Sequence, residues 1–212
     1  MARHSFRVPL TALAITCVAA ATLSAAITFT STFKSMDAGR VSFAGKKVAA
    51  VVISADESLR VAGEESLVRE LGKRAVQAVA SYRFVPKEEL RRAETARPWF
   101  EKAGIEGMVI VRPLVNDTRQ TYTPSMWVST NYGTPWNYYG YGWSAALIPG
   151  GRQVETTVVV ETTVYSLSLN QLVWATVAET RNPRSLQAFI EELVEESVKA
   201  MQKQGLARSQ PR

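Results

Sequence analysis

Residues 47–53 read KVAAVVI, a nearly continuous run of apolar residues that predicts a strand buried on both sides. Such strands belong to sheets that carry helices on both faces. Ser54 and Glu57 follow with the spacing of a capping box, which predicts a helix that runs to about Arg74. The apolar residues of this helix are its expected buried stripe: Leu59, Ala62, Leu67 and Leu71.

A second unit of the same kind follows along the chain. Residues 76–84 predict another strand, and Pro86 predicts the start of a helix that carries Leu90 and Ala93 on one side. Pro98 interrupts this helix, which is expected to end just before Gly104. Residues 107–115 (GMVIVRPLV) form the next apolar run. Two successive strand-helix-strand units predict right-handed crossovers and a parallel βαβαβ arrangement.

The remaining strands are predicted to be antiparallel. Residues 27–34 (ITFTSTFK) alternate as a half-buried edge strand does, and residues 156–168 and 172–178 predict a hairpin. After a cap at Asn182 and Pro183, a final helix is indicated by apolar residues at helical spacing: Leu186, Phe189, Ile190, Leu193, Val194, Ser197 and Met201. We therefore expect the α/β class, with a mixed sheet whose parallel βαβαβ part is followed by an antiparallel hairpin and a C-terminal helix.

The N-terminus indicates export from a bacterial cytoplasm. Arg3 and Arg7 precede an uncharged, mostly apolar run over residues 8–29, and residues 24–26 (SAA) are small. This order is that of a secretory signal, which predicts cleavage after Ala26. An uncleaved membrane anchor remains the alternative, because the run is long enough to cross a bilayer. Either case places the protein in the periplasm or at the membrane of the cell envelope.

Cys17 is the only cysteine, and it lies inside the apolar run. A lipid-accepting cysteine is one interpretation, but Ile15 and Thr16 fit poorly in the positions before a lipidated cysteine. An ordinary residue of a removed segment is the other. Residues 27–206 are predicted to form a single domain, and residues 207–212 a disordered tail.

Removal of residues 1–26 leaves 186 residues with a formal charge of about +4 and with neither histidine nor cysteine, since the only histidine is His4. Ser-His and Cys-His catalysis and zinc sites built on these ligands are thereby excluded. The absence of a dense basic stripe argues against nucleic acid as a partner. No cofactor or metal is expected.

One pair of carboxylates is a candidate for catalysis. Asp56 and Glu57 follow the end of a predicted central strand, where open α/β sheets place their ligands. A carboxylate-dependent hydrolase or transferase is the alternative function that they suggest. Capping of the following helix is the interpretation that we favour, because no base or metal ligand accompanies them.

The sequence changes character over residues 118–153, which contain many aromatic residues and no acidic one. We find no persistent helical or strand period there, and we predict a long loop. Tyrosine and tryptophan recur in protein interfaces, at membrane surfaces and against sugar rings. The candidate binding residues are therefore the aromatic ones: Tyr122, Trp127, Tyr132, Trp136, Tyr138, Tyr139, Tyr141 and Trp143.

The order of these segments resembles a known kind of protein. The stretches TFTSTFK (28–34), DAG (37–39), GKKVAAVVIS (45–54), AGIEGMVIVR (103–112) and VVVETTVYSLSLNQLVWATVAETRNP (158–183) carry the resemblance, together with the aromatic insertion. They resemble small bacterial envelope lipoproteins that contain a domain of unknown function. More remotely, the layout is similar to the N-terminal domain of the envelope protein TolB and to the outer-membrane activators of peptidoglycan synthases. The resemblance implies an envelope location and no particular activity.

Together these features predict a non-enzymatic envelope protein. Its aromatic loop is expected to bind a protein partner, a membrane surface or the peptidoglycan of the cell wall. If so, Trp127, Trp136 and Trp143 should be at least partly exposed before binding, because anchor residues must be available to a partner.

Overall fold

Six strands form one mixed sheet in the computed structural model, which describes residues 27–114, 127, 131–144, 157–181 and 183–204. The strands are β1 (Thr28–Lys34), β2 (Lys47–Val52), β3 (Gln77–Ala80), β4 (Gly107–Leu114), β5 (Thr157–Ser166) and β6 (Gln171–Arg181). Their order across the sheet is β1-β6-β5-β4-β2-β3. Strand β2 pairs in parallel with β3 and β4, whereas all the other pairs are antiparallel. The predicted α/β class and mixed sheet are confirmed, and β1 is the expected edge strand.

In the described part of the chain, four helices cover the two faces of the sheet: α1 (Glu57–Gly72), α2 (Ala93–Lys102), α3 (Pro135–Ser144) and α4 (Leu186–Lys203). The chain moves outward from β2 to β3 through α1 and then back across β2 to β4 through α2. Crossovers of one handedness that run in opposite directions place their helices on opposite faces. Accordingly α1 and α4 pack on one face, here called the aliphatic face, and α2 and α3 on the other, here called the aromatic face.

Strand β2 shows how the core is divided. Val48, Ala50 and Val52 point into the aliphatic face, while Ala49 and Val51 point into the aromatic face. All five are buried, as expected for a central strand with helices on both sides. The near-continuous apolar run was therefore a correct indication of this strand's place in the fold.

Helix α1 begins two residues later than the capping box predicted. Asp56 is its N-cap, because Asp56 Oδ1 accepts a hydrogen bond from the Leu59 N–H at 3.0 Å. Ser54 instead accepts from the Asp56 N–H. The predicted buried stripe is also partly wrong, since Ala62 is exposed and Gly63 faces the sheet. A Cβ at Gly63 would lie 3.0 Å from Val52 Cγ2, so the glycine permits the close approach of helix and strand.

The segment after β3 also departs from the sequence prediction. Strand β3 ends at Ala80, and the chain then forms a short 3₁₀ helix over Ser81–Arg83. No helix starts at Pro86; α2 starts at Ala93 and contains Pro98. Tertiary contacts at Leu90 explain why the segment before α2 is not helical. The Leu90 carbonyl accepts a hydrogen bond from the Tyr139 hydroxyl at 2.6 Å, and the Leu90 side chain is buried in the aromatic face.

The C-terminal helix agrees with its predicted stripe. Phe189, Ile190, Leu193, Val194 and Ser197 are buried, with Leu186 and Met201 packed at the margin of the core. Ser185 caps this helix by accepting from the Ala188 N–H at 3.1 Å, so the predicted cap at Asn182 and Pro183 is wrong. Several predictions fall outside the described residues: the signal or anchor at 1–26, Cys17, Tyr122 and the tail at 207–212.

Candidate functional site

Part of the predicted aromatic loop is a helix. Thr134 accepts a hydrogen bond from the Asn137 N–H at 3.2 Å, and Pro135 occupies the first position of α3. The buried residues of α3 are spaced three, four, seven and eight positions after Pro135, which is a helical period that our sequence analysis missed: Tyr138, Tyr139, Gly142 and Trp143. A Cβ at Gly142 would overlap with Ile53 on the sheet, so this glycine lets α3 lie close to β2.

The aromatic candidates form the core of the aromatic face. Among those that the structure describes, five are buried: Trp127, Tyr132, Tyr138, Tyr139 and Trp143. Trp136 and Tyr141 are partly buried against the same cluster. The expectation of exposed tryptophans is therefore wrong for Trp127 and Trp143, because their rings pack edge-on or tilted against other rings of the cluster.

A buried ion pair organises this aromatic cluster. Arg112 on β4 lies opposite Glu161 on β5 in the strand register, and the Arg112 Nε and Nη2 atoms donate to Glu161 Oε2 at 2.9 and 2.7 Å. The hydroxyls of Tyr132 and Tyr138 donate to Glu161 Oε1 and Oε2 at 2.8 and 2.6 Å. The Tyr165 hydroxyl donates to the Tyr132 carbonyl at 2.8 Å. A fully buried carboxylate is thus paired and saturated with donors, as such a group requires.

Tyr138 and Tyr165 remain neutral donors in this cluster. Burial and the neighbouring Glu161 carboxylate raise the pKa of Tyr138 and that of Tyr165 well above the ordinary value. The Arg112 guanidinium also lies 5.1 Å from the centre of the Tyr141 ring. The cluster therefore ties α3 to β4 and β5 by charge-assisted hydrogen bonds and aromatic contacts.

The two carboxylates considered for catalysis are both engaged at the start of α1. Asp56 is the N-cap, so the capping interpretation is confirmed for it. Glu57 Oε2 accepts from Lys87 Nζ at 2.6 Å, and this hydrogen bond holds the pKa of Glu57 below its ordinary value. Within the described ranges, no group of three or more His, Cys, Asp or Glu is placed to hold a metal ion.

Glu64 is a buried carboxylate that the sequence analysis did not single out. Its oxygens accept from the Val52 N–H, the Ser81 hydroxyl and the Tyr82 N–H at 3.3, 2.7 and 3.0 Å. Burial raises the pKa of Glu64, although these hydrogen bonds oppose the shift. The three bonds join α1 to the ends of β2 and β3, which gives Glu64 a structural role.

The aliphatic face contains a groove that no sequence pattern indicated. It has a volume of about 800 Å³ and lies between the sheet, α1, α4 and the segment that leads into β2. Its walls are largely aliphatic and include Val48, Leu67, Val109, Val164, Leu193 and Val198. Partly exposed apolar side chains stand at its mouth: Val41, Phe43, Val76 and Met201. This volume is in the range of small-molecule sites.

Three polar side chains that line the groove have no hydrogen-bond partner among the residues that the structure describes. They are Trp174 through Nε1, Thr162 through Oγ1 and Ser197 through Oγ. Their residues are 0 %, 4 % and 7 % exposed, respectively. Buried polar groups are almost always paired, so these three are exceptions to the usual pattern.

The charged residues of the groove lie at its mouth and are paired. Arg40 contacts Asp37 at 3.1 Å, and Lys73 contacts Glu70 and Glu191 at 2.7 and 3.6 Å. Arg74 donates to the Glu70 carbonyl at 2.7 Å. No carboxylate is among the described residues that line the groove. The interior of the groove is therefore apolar, apart from the three unpaired groups.

Comparison with known proteins yields a distant structural likeness only. No protein-family profile matches the chain, and no curated protein matches it. The chain is similar to the PelC dodecamer from Paraburkholderia phytofirmans, with 11 % identity and a TM-score of 0.46, over 86 % of this chain and 99 % of that one. A leucine-to-methionine variant of that PelC has 9 % identity and a TM-score of 0.44, over 82 % and 95 %. The resemblance to envelope lipoproteins and to TolB stays a prediction.

Among the residues that the structure describes, no helix is both long and apolar enough to span a membrane.

Proposed function

We propose that this protein is a non-enzymatic binding protein of the bacterial envelope and that the groove on its aliphatic face holds an aliphatic chain of a small molecule. The observation that carries the proposal is the groove of about 800 Å³, which is lined largely by aliphatic side chains. Apolar walls that face water in an open groove favour the binding of an apolar ligand, because such a ligand removes their surface from water.

The shape of the lining supports an aliphatic occupant. Phe43 and Trp174 are the aromatic residues among the described lining residues, and branched aliphatic side chains dominate the remainder. An acyl chain gains hydrophobic free energy along such walls at about 25 cal/mol for each Å² buried. The envelope location is supported by the signal-like pattern of residues 1–26.

The test measures how tightly an aliphatic probe binds in the groove. Protein purified from bacteria that express the full chain is titrated with a fluorescent dodecyl probe, and the same titration is made with Val198→Trp and Lys203→Trp. Both positions lie on α4, but Val198 lines the groove and Lys203 does not. We expect saturable binding that Val198→Trp weakens by at least about tenfold and Lys203→Trp leaves unchanged, since only one of the two indoles occupies the groove.

A second blocking variant guards against misfolding of the first. Ala44→Trp adds an indole at an exposed lining position that belongs to no helix or strand. It should weaken binding as Val198→Trp does while leaving the melting temperature unchanged. Equal binding by the parent, both blocking variants and Lys203→Trp would overturn the proposal, as would an absence of saturable binding by the parent.

Binding of a protein, a membrane or peptidoglycan through the aromatic segment stays a separate prediction. Of its residues, Trp136 and Tyr141 retain partial exposure, and Tyr122 lies outside the described part of the chain. The carboxylate-dependent enzyme likewise stays an alternative prediction. In the structure, Asp56 caps α1 and Glu57 accepts a hydrogen bond from Lys87.

A further inference from the structure

We infer that cleavage after Ala26 creates an ion pair between the new N-terminal ammonium of Ile27 and the carboxylate of Glu192, and that this pair fastens β1 to α4. This inference rests on the envelope location in the proposed function, because the cleavage belongs to the signal-like pattern of residues 1–26. Its starting point is that the Ile27 N–H donates a hydrogen bond to Glu192 Oε1 at 3.3 Å. Hydrolysis of the Ala26–Ile27 peptide bond by one water leaves a carboxylate on Ala26 and an amine on Ile27 that is mostly protonated at neutral pH.

The position of the Ile27 nitrogen is set by the folded domain. The Ile27 side chain is half-buried and packs against the core of the aliphatic face. The next residue, Thr28, pairs with Glu179 at the start of the ladder between β1 and β6. These contacts are made by residues 27 and 28, so the removal of residues 1–26 leaves them in place. Cleavage therefore changes the charge of a nitrogen that already contacts Glu192.

Glu192 is the glutamate of α4 that has no lysine or arginine as an ion-pair partner among the described residues. Each of the other three glutamates of this helix is paired with a lysine: Glu191 with Lys73 at 3.6 Å, and Glu195 and Glu196 with Lys199, both at 2.7 Å. An ammonium on Ile27 supplies the cation that Glu192 lacks. The resulting charge-assisted hydrogen bond is stronger than the neutral one that it replaces.

The other charged groups nearby leave Glu192 to the Ile27 ammonium. Arg184 lines the same shallow pocket as Glu192, but the two residues form no ion pair. On the neighbouring strand β6, Glu179 is paired with Arg181 at 3.9 Å. The ion pair thus joins the edge strand to the helix that forms one wall of the groove.

The test uses protein that bacteria export from the full chain. Its intact mass identifies the first residue, and its α-amine is acetylated selectively at pH 7, where lysine amines stay protonated. We expect the protein to begin at Ile27 and its amine to react about two- to fivefold more slowly than that of Glu192→Gln, because the ion pair favours the protonated, unreactive form. Glu196→Gln is the matched control, since Glu196 is also a half-buried glutamate of α4 and is paired with Lys199 instead.

Acetylation also provides a second measurement. It removes the charge of Ile27 but restores an amide N–H, as in the uncleaved chain. Glu192→Gln should lower the melting temperature by about 1–4 °C in the unmodified protein and by less than half as much after acetylation. A role of Glu192 in packing alone would give the same decrease in both forms.

Equal amine reactivity in the parent, Glu192→Gln and Glu196→Gln would overturn the inference, as would a first residue other than Ile27. An equal decrease in melting temperature before and after acetylation would overturn it as well. None of these results bears on the groove, which the probe titrations with Val198→Trp and Ala44→Trp test independently. Failure of the ion pair and failure of the proposed binding function are therefore distinguishable.

Discussion

The two faces of the sheet enclose different features: the aromatic face holds a buried ion pair, and the aliphatic face holds a groove. On the aromatic face, both oxygens of Glu161 are saturated by Arg112, Tyr132 and Tyr138. On the aliphatic face, Thr162 and Trp174 line a groove, and their polar atoms have no hydrogen-bond partner among the described residues. Glu161 and Thr162 are adjacent in the sequence, so a single step along β5 leads from the ion pair on one face to the groove on the other.

This difference teaches where function is to be sought. Aromatic residues are the conventional sign of a binding surface, but in this molecule most of those that the structure describes complete a core. Aliphatic residues are the conventional sign of a core, but here they surround open space. The presence of a groove distinguishes the two faces better than composition does. Four substitutions test this contrast, from the largest expected effect to the smallest.

Removal of the buried cation should have the largest effect. Arg112→Met leaves Glu161 charged and without its ionic partner, which should lower the free energy of unfolding by about 3–5 kcal/mol. Urea denaturation measures the change. Arg97→Met is the control, because the Arg97–Glu101 pair is exposed and should contribute at most about 0.5 kcal/mol. Equal effects of the two substitutions would contradict the description of a buried, organising ion pair.

Truncation of a buried aromatic residue is the next test of the comparison. Trp127 is fully buried and contacts Tyr132 edge-on at 5.1 Å, so Trp127→Ala should cost about 3 kcal/mol or more. Trp136 is only partly buried, and Trp136→Ala should cost distinctly less. Thermal unfolding of both variants gives the difference. If Trp127→Ala hardly changed the stability, Trp127 would not be a core residue, and the prediction of an exposed binding surface would be supported instead.

The sequence predicted the strands of the sheet better than the helices that cover them. Strand β2 and the β5–β6 hairpin were found because apolar runs and alternation follow directly from burial. The capping box failed at α1 because Asp56 competes with Ser54 for the N-cap position. Helix α3 was missed because two glycines and several bulky aromatics obscured the period that begins with Pro135.

The two candidate sites could not be predicted from a single sequence, for a different reason. Arg112 and Glu161 are 49 residues apart, and their pairing depends on the register of β4 against β5. The groove depends on space left between α1, α4 and the sheet, which no residue type encodes. Val164 and Leu193 look like core residues in the sequence, and they are indeed buried. Only their arrangement around a cavity makes them candidates for binding.

Loss of one hydroxyl from the aromatic face should have an intermediate effect. The Tyr138 hydroxyl donates to the Glu161 carboxylate at 2.6 Å, so Tyr138→Phe should cost about 1.5–3 kcal/mol at neutral pH. Urea denaturation at pH 7 provides the measurement. An unchanged midpoint would show that Glu161 does not depend on this donor.

The same variant has a signature in alkaline solution. Because the pKa of Tyr138 is raised in the folded state, the unfolded chain releases this phenolic proton near pH 10 while the folded chain retains it. The contribution of Tyr138 is therefore fully present below pH 10 and is lost as the pH rises further. The stability of Tyr138→Phe should fall less steeply than that of the parent, by up to about 1.4 kcal/mol per pH unit. Parallel curves would contradict the raised pKa.

Loss of one hydroxyl from the aliphatic face should have the smallest effect. Thr162→Val replaces an unpartnered hydroxyl by a methyl group of nearly the same shape, so the free energy of unfolding should change by less than about 0.5 kcal/mol or should rise slightly. Thr176→Val, its register partner on β6, removes a hydroxyl that donates to the Ser31 carbonyl at 2.8 Å and should cost about 1 kcal/mol. The two variants share chemistry, strand pairing and depth, and they differ in the presence of a hydrogen-bond partner. Equal costs in urea denaturation would mean that Thr162 already has a partner in the folded protein.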